Sequence, residues 1–174
     1  MNEIIKYFKN SFFALVLLIF VSCDKKPEKE RYLIPENYLG RVIIFYDQAG
    51  GKSIKYENGF RVYQVSKDGF LSTKFKTNFG FFSIKGGDLE FAYVDTNNKI
   101  KKLLPIRYIE NDPTTPSDTI VQVFKMGNGM NGKLKYSEFY IDKYSNASKY
   151  FSNNSNSDLK EWETLKKKAG VISE

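Results

Sequence analysis

Apolar and polar residues alternate with a period of two along much of the chain between residues 32 and 140. Successive side chains of a strand point to opposite faces of a sheet, so this period predicts half-buried β-strands. Strand-like segments recur about every 8–12 residues, which is typical of an antiparallel β-sandwich or a small barrel. The predicted strands are 41–46, 53–56, 61–65, 70–76, 79–84, 89–94, 99–104, 119–124 and 134–140.

The segments between these strands are rich in Gly, Asn, Asp and Pro. The pair Asn58-Gly59 is a strong signal for a tight hairpin. Residues 110–118 hold two of the five prolines and no large apolar residue, so they predict a loop. The glycine-rich residues 127–132 are interpreted as a flexible connection.

The pattern changes near the C-terminus, where a short α-helix is predicted to begin at Ser157 or Asp158 and to end near Lys168. Within it, Leu159, Trp162 and Leu165 share one face, as the helical period requires. We expect the single tryptophan to dock this helix onto a face of the sheet.

The first residues follow neither period. Residues 11–22 form one apolar block, preceded by Lys6 and Lys9 and followed directly by Cys23. A basic start, an apolar run of about 7–15 residues and small residues before a cut site describe a secretory signal peptide. The run is too short for a transmembrane helix, which needs about 20 apolar residues. Residues 1–22 are therefore predicted to be removed.

The segment Phe20-Val21-Ser22-Cys23 resembles the lipobox of bacterial lipoproteins. This resemblance implies cleavage between Ser22 and Cys23 and lipidation of the Cys23 thiol. Residues 23–31 are strongly charged and are interpreted as a solvated tether, followed by one β-rich domain over residues 32–174. The predicted location is the cell envelope, with the protein lipid-anchored in a bacterial membrane and facing either the periplasm or the cell surface.

The start of this domain resembles an uncharacterised bacterial domain family that is often found in lipoproteins. The family opens with the pattern Tyr-Leu-Ile-Pro-Glu-x-Tyr-x-Gly, which residues 32–40 match. Residues 59–63 (GFRVY) and 69–71 (GFL) correspond to its second landmark. The similarity extends to about Val94 and implies domain boundaries without implying an activity.

Composition removes several classes of chemistry. The 174 residues contain no histidine and one cysteine, so histidine-based triads, histidine-ligated metals and intramolecular disulfides are excluded. We predict no cofactor and no metal site. The chain has 27 Lys and Arg against 20 Asp and Glu, but its lysines are scattered, which argues against nucleic acid as a partner. A membrane, an envelope protein or a cell-surface polysaccharide suits the positive charge better.

Three functions remain open at this stage. The preferred one is a non-catalytic structural or interaction domain, and the alternative is a carbohydrate- or peptide-binding module. Exposed tyrosines could then form a platform for sugars, with Tyr56, Tyr63, Tyr93 and Tyr108 as the candidates. A third possibility is a hydrolase that uses paired carboxylates, for which the candidates are Asp88 with Glu90 and Asp112 with Asp118.

Glu36 and Arg61, which lie in the two family landmarks, are expected to pair across neighbouring strands. Two catalytic motifs are rejected. Gly50-Gly51-Lys52-Ser53 lacks the earlier glycine and the following helix of a phosphate-binding loop. Ser157 and Lys160 have the spacing of a serine acylation motif, but none of its companion elements is present.

Overall fold

The computed structural model describes residues 26–78, 80–107, 115–151 and 155–171. The predicted signal peptide, Cys23, Tyr108 and Asp112 lie outside these residues. The described strands are β1 (Lys29–Pro35), β2 (Gly40–Phe45), β3 (Tyr56–Glu57), β4 (Phe60–Gln64), β5 (Phe70–Ser72), β6 (Leu89–Val94), β7 (Ile100–Leu103), β8 (Val121–Asn131) and β9 (Leu134–Lys143). A 3₁₀ turn (Tyr144–Asn146) and helices α1 (Ser148–Phe151) and α2 (Ser155–Lys168) follow.

The strands form two sheets that pack face to face. The first has the order β3-β4-β1-β6-β7 and the second the order β5-β2-β9-β8. Aromatic rings fill the space between them, with Tyr32 stacked on Tyr63 and Phe91 at centroid distances of 4.8 and 4.7 Å. Phe139 of the second sheet meets Phe91 edge to face at 4.9 Å. The mostly-β sandwich with a C-terminal helix is thus confirmed, and the described strands do not close into a barrel.

The expectation of purely antiparallel sheets is wrong. Strand β1 pairs in parallel with both β4 and β6, and β2 pairs in parallel with β5. The cause lies in the path of the chain, which alternates between the two sheets. It runs from β1 in the first sheet to β2 in the second, then to β4 in the first, β5 in the second and β6 in the first. A strand that re-enters the first sheet after such a crossing can run in the direction of β1.

Four predicted segments differ from the structure. Of the predicted strand 70–76, only Phe70–Ser72 form a strand. No strand covers the described residues 80–84, because the backbone N–H of Ser83 donates to the Asp88 carboxylate (2.8 Å) and closes a loop there. Residues 127–131 belong to β8, beyond a register shift at Lys125, so they are not a flexible connection. Of the predicted strand 53–56, only Tyr56 lies in a strand.

The predicted tether is also wrong in its last residues. Strand β1 begins at Lys29, and the Glu30 side chain is only 3% exposed. The charged residues 29–31 therefore belong to the folded domain. The hairpin at Asn58-Gly59 is confirmed, because both residues have positive φ angles (49° and 80°) and the turn joins β3 to β4.

The C-terminal helix packs where the sequence predicts. Trp162 lies against Phe45 and Tyr136 of the second sheet, at ring-centroid distances of 5.5 and 4.4 Å. Leu165 joins the same apolar cluster. The side chains of the predicted cap, Ser157 or Asp158, and of Leu159 lie outside the described residues. None of the helices described in the structure is long and apolar enough to cross a membrane.

Candidate functional site

The parallel strands give the sandwich two distinct ends. Strands β1, β4 and β6 all begin at one end, where Lys29 pairs with Phe60 and Glu30 with Leu89. We call this the first-residue end. The same strands finish at the opposite end, near Pro35, Gln64 and Val94.

A groove lies at this opposite end, with a volume of about 440 Å³. This size falls within the range of roughly 300–1,000 Å³ that small-molecule sites occupy. We call it the strand-end groove. Eight of its eleven lining residues have polar or charged side chains. The lining residues are Pro35, Glu36, Lys52, Gln64, Val65, Ser66, Lys67, Val94, Asp95, Thr96 and Asn98.

The strand-end groove contains charged side chains of both signs. Glu36, Lys52 and Lys67 are exposed and make no ion pair with any residue that the structure describes. The amide of Gln64 donates to Asn98 Oδ1 at 2.5 Å and so fixes one wall. The groove therefore offers both positive and negative charge beside ordered hydrogen-bonding groups.

Asp95 fixes the turn that borders the groove. Its Oδ1 accepts hydrogen bonds from the backbone N–H groups of Lys99 (3.0 Å) and Asn97 (2.9 Å), and Lys101 Nζ lies 3.4 Å from Oδ2. These bonds lower the pKa of the Asp95 carboxyl, chiefly through the Lys99 N–H. Asp95 is accordingly charged at neutral pH.

The family landmark residues do not form the ion pair expected from the sequence. Glu36 lies beyond the end of β1, where its backbone N–H donates to Val94 O at 3.0 Å. Arg61 lies near the first residue of β4 and binds Glu28, with Nε 2.6 Å from Oε2. The prediction was wrong because Glu36 and Arg61 lie at opposite ends of parallel strands.

A second polar cluster is buried between the sheets near the first-residue end. The Glu30 carboxylate accepts hydrogen bonds from Tyr32 Oη (2.6 Å), Tyr63 Oη (2.9 Å) and Asn78 Nδ2 (3.1 Å). Burial raises the pKa of Glu30 above its ordinary value of 4.5. Burial, together with the Glu30 charge, also raises the pKa values of Tyr32 and Tyr63, so both phenols stay protonated and donate.

A cavity of about 110 Å³ borders this cluster. Tyr46 Oη and Ser137 Oγ line it and lie 2.9 Å apart, and Ser137 Oγ also donates to Asn128 Oδ1. The volume admits water molecules but is smaller than the roughly 300–1,000 Å³ of typical ligand sites. Because both oxygens of Glu30 already accept hydrogen bonds from protein groups, we interpret the cluster as structural.

The candidate catalytic carboxylates are engaged elsewhere in the fold. Asp88 is buried and closes the loop at Ser83, whereas Glu90 points to the other face of the sheet and pairs with Arg31 at 2.6 Å. Asp118 pairs with Arg107 at 2.6 Å, and Asp112 lies outside the described residues. The structure does not bring Asp88 and Glu90 together on one face.

The predicted tyrosine platform does not form either. Tyr56 is exposed, but Tyr63 and Tyr93 are buried, and Tyr93 Oη donates to Tyr38 O at 2.5 Å. Tyr108 lies outside the described residues. The described part of the chain contains no group of three carboxylate or cysteine side chains that could hold a metal ion.

The sequence carried a signal for Glu30 that its charged surroundings masked. Glu30, Tyr32 and Ile34 alternate with period two, and all three face the core. The groove had a weaker signal, since only Pro35 and Glu36 among its lining residues belong to the opening landmark. Its other walls come from turns that only the parallel strand order brings together.

Comparisons with known proteins place these features in a family. No curated protein matches the chain significantly. A crystal structure of a "putative lipoprotein" from Bacillus anthracis matches with a TM-score of 0.50 and 15% identity, over 82% of this chain and 96% of that one. At this identity the match shows a shared fold. A family model, described as a family of unknown function, matches residues 26–151, more than the segment expected from the landmarks. The chain thus belongs to the family of unknown function DUF6843.

Proposed function

We propose that this protein is a lipoprotein of the bacterial cell envelope, anchored through acylated Cys23, whose β-sandwich is a non-catalytic interaction domain. The observation that carries the proposal is the position of the fold relative to the lipobox-like segment. Pro27, the first buried residue that the structure describes, lies four residues after Cys23. A chain spans at most about 3.6 Å per residue, so four residues reach no further than about 14 Å.

The contacts of Glu28 make this short distance meaningful. Asn78 Nδ2 donates to Glu28 O at 2.7 Å, and the Glu28 backbone N–H donates to Asn78 Oδ1 at 3.1 Å. The Glu28 side chain binds Arg61 and accepts a hydrogen bond from Tyr56 Oη (2.9 Å). The segment around Glu28 is therefore fixed to the sandwich. An acyl group on Cys23 would in turn hold the sandwich close to the membrane.

The strand-end groove supports the interaction role. It lies at the end of the strands opposite to Lys29, where β1 begins, so a domain that is anchored through its N-terminus can present it to partners. A carbohydrate- or peptide-binding module is the second candidate, and the polar lining of the groove favours it. Hydrogen bonds and charge, rather than a stacking platform, would then supply recognition.

Substitution of Cys23 by serine tests the anchor. A hydroxyl is a far weaker nucleophile than a thiolate, so the variant should not receive the diacylglycerol group. We expect loss of incorporated radiolabelled fatty acid and a shift of the protein from the detergent-rich to the aqueous phase. The measurement is phase partition combined with autoradiography.

The matched control is Ser22→Ala, which keeps a small residue before the cut and should retain the label. If the wild-type protein incorporates no acyl label, or if Cys23→Ser retains the label, the lipoprotein proposal is wrong.

Charge reversal in the strand-end groove tests the binding role. The double variant Lys52→Glu/Lys67→Glu reverses two exposed cations of the groove without touching the core. On arrays of glycans and peptides, we expect the mature lipidated protein to bind at least one glycan or peptide probe. For that probe, the double variant should bind roughly tenfold more weakly, which corresponds to ~1.4 kcal/mol.

The control variant Lys102→Glu/Lys143→Glu makes the same change in net charge at exposed positions outside the groove. Equal losses in the two variants would show that net charge, rather than the groove, governs binding. An unchanged affinity of the Lys52/Lys67 variant would exclude the groove as the binding surface.

A further inference from the structure

Phe81 is the most exposed large apolar residue among those described, with 99% of its side chain accessible. Such a residue lacks the burial that normally accompanies an aromatic ring. It lies in the loop that precedes β6, directly after Gly80. A methyl group built on Gly80 would come within 2.6 Å of Pro27 Cδ, so this loop packs against Pro27.

Pro27 places Phe81 close to the predicted lipid. Pro27 is buried and lies four residues after Cys23, which limits their separation to about 14 Å. The acyl chains would therefore enter the membrane near the loop that carries Phe81. An anchored domain cannot move this loop far from the lipid surface.

Exposed lysines surround the same region. Lys26 precedes Pro27, and Lys76 is held beside Glu28 because Arg61 binds Glu28 and donates to Lys76 O at 2.8 Å. Lys85 lies in the turn just before β6. Lysines within a Debye length of an anionic membrane surface are attracted to it. The first-residue end thus combines one exposed aromatic ring with positive charge.

We propose that Phe81 inserts into the headgroup region of the membrane and, together with the lipid on Cys23, fixes the orientation of the domain. This inference rests on the proposed lipid anchor. Two points of attachment restrict tilting, which a single acylated terminus would leave free. The strand-end groove then faces away from the membrane, separated from it by the length of β1, which at about 3.3 Å per residue is roughly 20 Å.

A fluorescent label at position 81 tests the orientation. Acylation consumes the only natural cysteine, so Phe81→Cys supplies the single free thiol of the lipidated protein. The labelled, lipidated mature protein is incorporated into vesicles of phosphatidylcholine and phosphatidylglycerol. Nitroxide groups on the lipid acyl chains then report depth, because groups at the interface lie about 5–10 Å below the surface.

The matched control is Asn97→Cys, an exposed position in the turn at the opposite end of the sheet. We expect the label at position 81 to shift its emission to shorter wavelengths and to be quenched several-fold more strongly than the label at position 97. Circular dichroism verifies that both variants fold, as their exposed positions lead us to expect.

Other outcomes overturn the proposal. Equal quenching of the two labels, or none at position 81, would mean that the loop at position 81 does not lie at the membrane surface. A label at position 81 that is shielded from aqueous iodide but not quenched by lipid would identify a protein partner instead. Flotation of the vesicles reads the anchor separately, so protein that fails to float refutes the lipid anchor and the orientation that depends on it.

Discussion

Replacing Glu30 with alanine should lower the free energy of unfolding by about 2–5 kcal/mol, because it leaves the buried hydroxyls of Tyr32 and Tyr63 without their acceptor. Tyr32 Oη, Tyr63 Oη and Asn78 Nδ2 all bind the Glu30 carboxylate at 2.6–3.1 Å. Each buried donor that loses its partner costs about 1–3 kcal/mol. The measurement is urea unfolding of the wild type and of Glu30→Ala, from which the midpoint and the dependence of the unfolding free energy on urea concentration are obtained.

The isosteric variant Glu30→Gln separates lost volume from lost charge. Glutamine keeps an acceptor oxygen and fills the same space, so its loss of stability should be well below that of alanine. A loss as large as that of alanine would show that the carboxyl group itself is required. If alanine costs less than about 1 kcal/mol, the hydrogen-bonded cluster does not stabilise the sandwich.

The same pair gives a pH dependence of known sign. Burial raises the pKa of Glu30 in the folded state above 4.5, so the folded protein binds this proton more tightly than the unfolded chain. The stability from protonated Glu30 is complete below about pH 4.5 and is lost as the pH rises through the raised pKa. The difference in unfolding free energy between wild type and Glu30→Gln should therefore shift against the wild type as the pH rises from about 4.5 through the raised pKa of Glu30. The remaining carboxylates are common to both proteins and largely cancel.

Glu30 also illustrates what limits prediction from the sequence. Its neighbours Glu28, Lys29 and Arg31 give the segment the composition of a solvated tether. In the structure, Glu28 and Arg31 are satisfied by ion pairs with Arg61 and Glu90. Those partners lie more than thirty residues away, so local composition contains no trace of them. The alternation of Glu30, Tyr32 and Ile34 indicates a strand. It is a better guide to structure here than the high charge, because the charged side chains find distant partners.

The strands were predictable wherever β-branched and aromatic residues carry the pattern. Strands β2, β4 and β6 match the predicted segments closely, because their side chains fill the aromatic core. The parallel order was not predictable, since the same alternation suits parallel and antiparallel neighbours. The groove depends on that order, because it forms where β1, β4 and β6 finish together.

Helix α2 shows the opposite case, in which a local pattern located a tertiary contact. Trp162 and Leu165 share one helical face, and that face covers Ile43 and Phe45 on the outer side of the second sheet. The match to the family ends at residue 151, before this helix. The outer face of β2 in this chain nevertheless depends on the helix for its burial.

Trp162→Ala should accordingly destabilise the domain by about 3–5 kcal/mol, the range for removal of a large buried aromatic side chain. Trp162 is 6% exposed, contacts Phe45 and Tyr136 edge to face, and lies 5.6 Å from the Arg41 guanidinium. Its loss would leave a cavity above Phe45 and remove the main attachment of α2. The unfolding midpoint in urea measures the effect, and hydrogen exchange of α2 locates it.

The control is Trp162→Phe, which keeps an aromatic ring over Phe45 and should retain most of the stability. If the helix only covers an otherwise stable sandwich, Trp162→Ala will release the amides of α2 while those of β2 and β9 stay protected. If burial of Ile43 and Phe45 is required for the second sheet, all three elements will lose protection together. We expect the second result, because β2 is a central strand, paired with both β5 and β9, and its outer face has α2 as its cover. Unchanged stability of Trp162→Ala would contradict both expectations. It would show that the contact of Trp162 with Phe45 and Tyr136 does not hold the helix on the sheet.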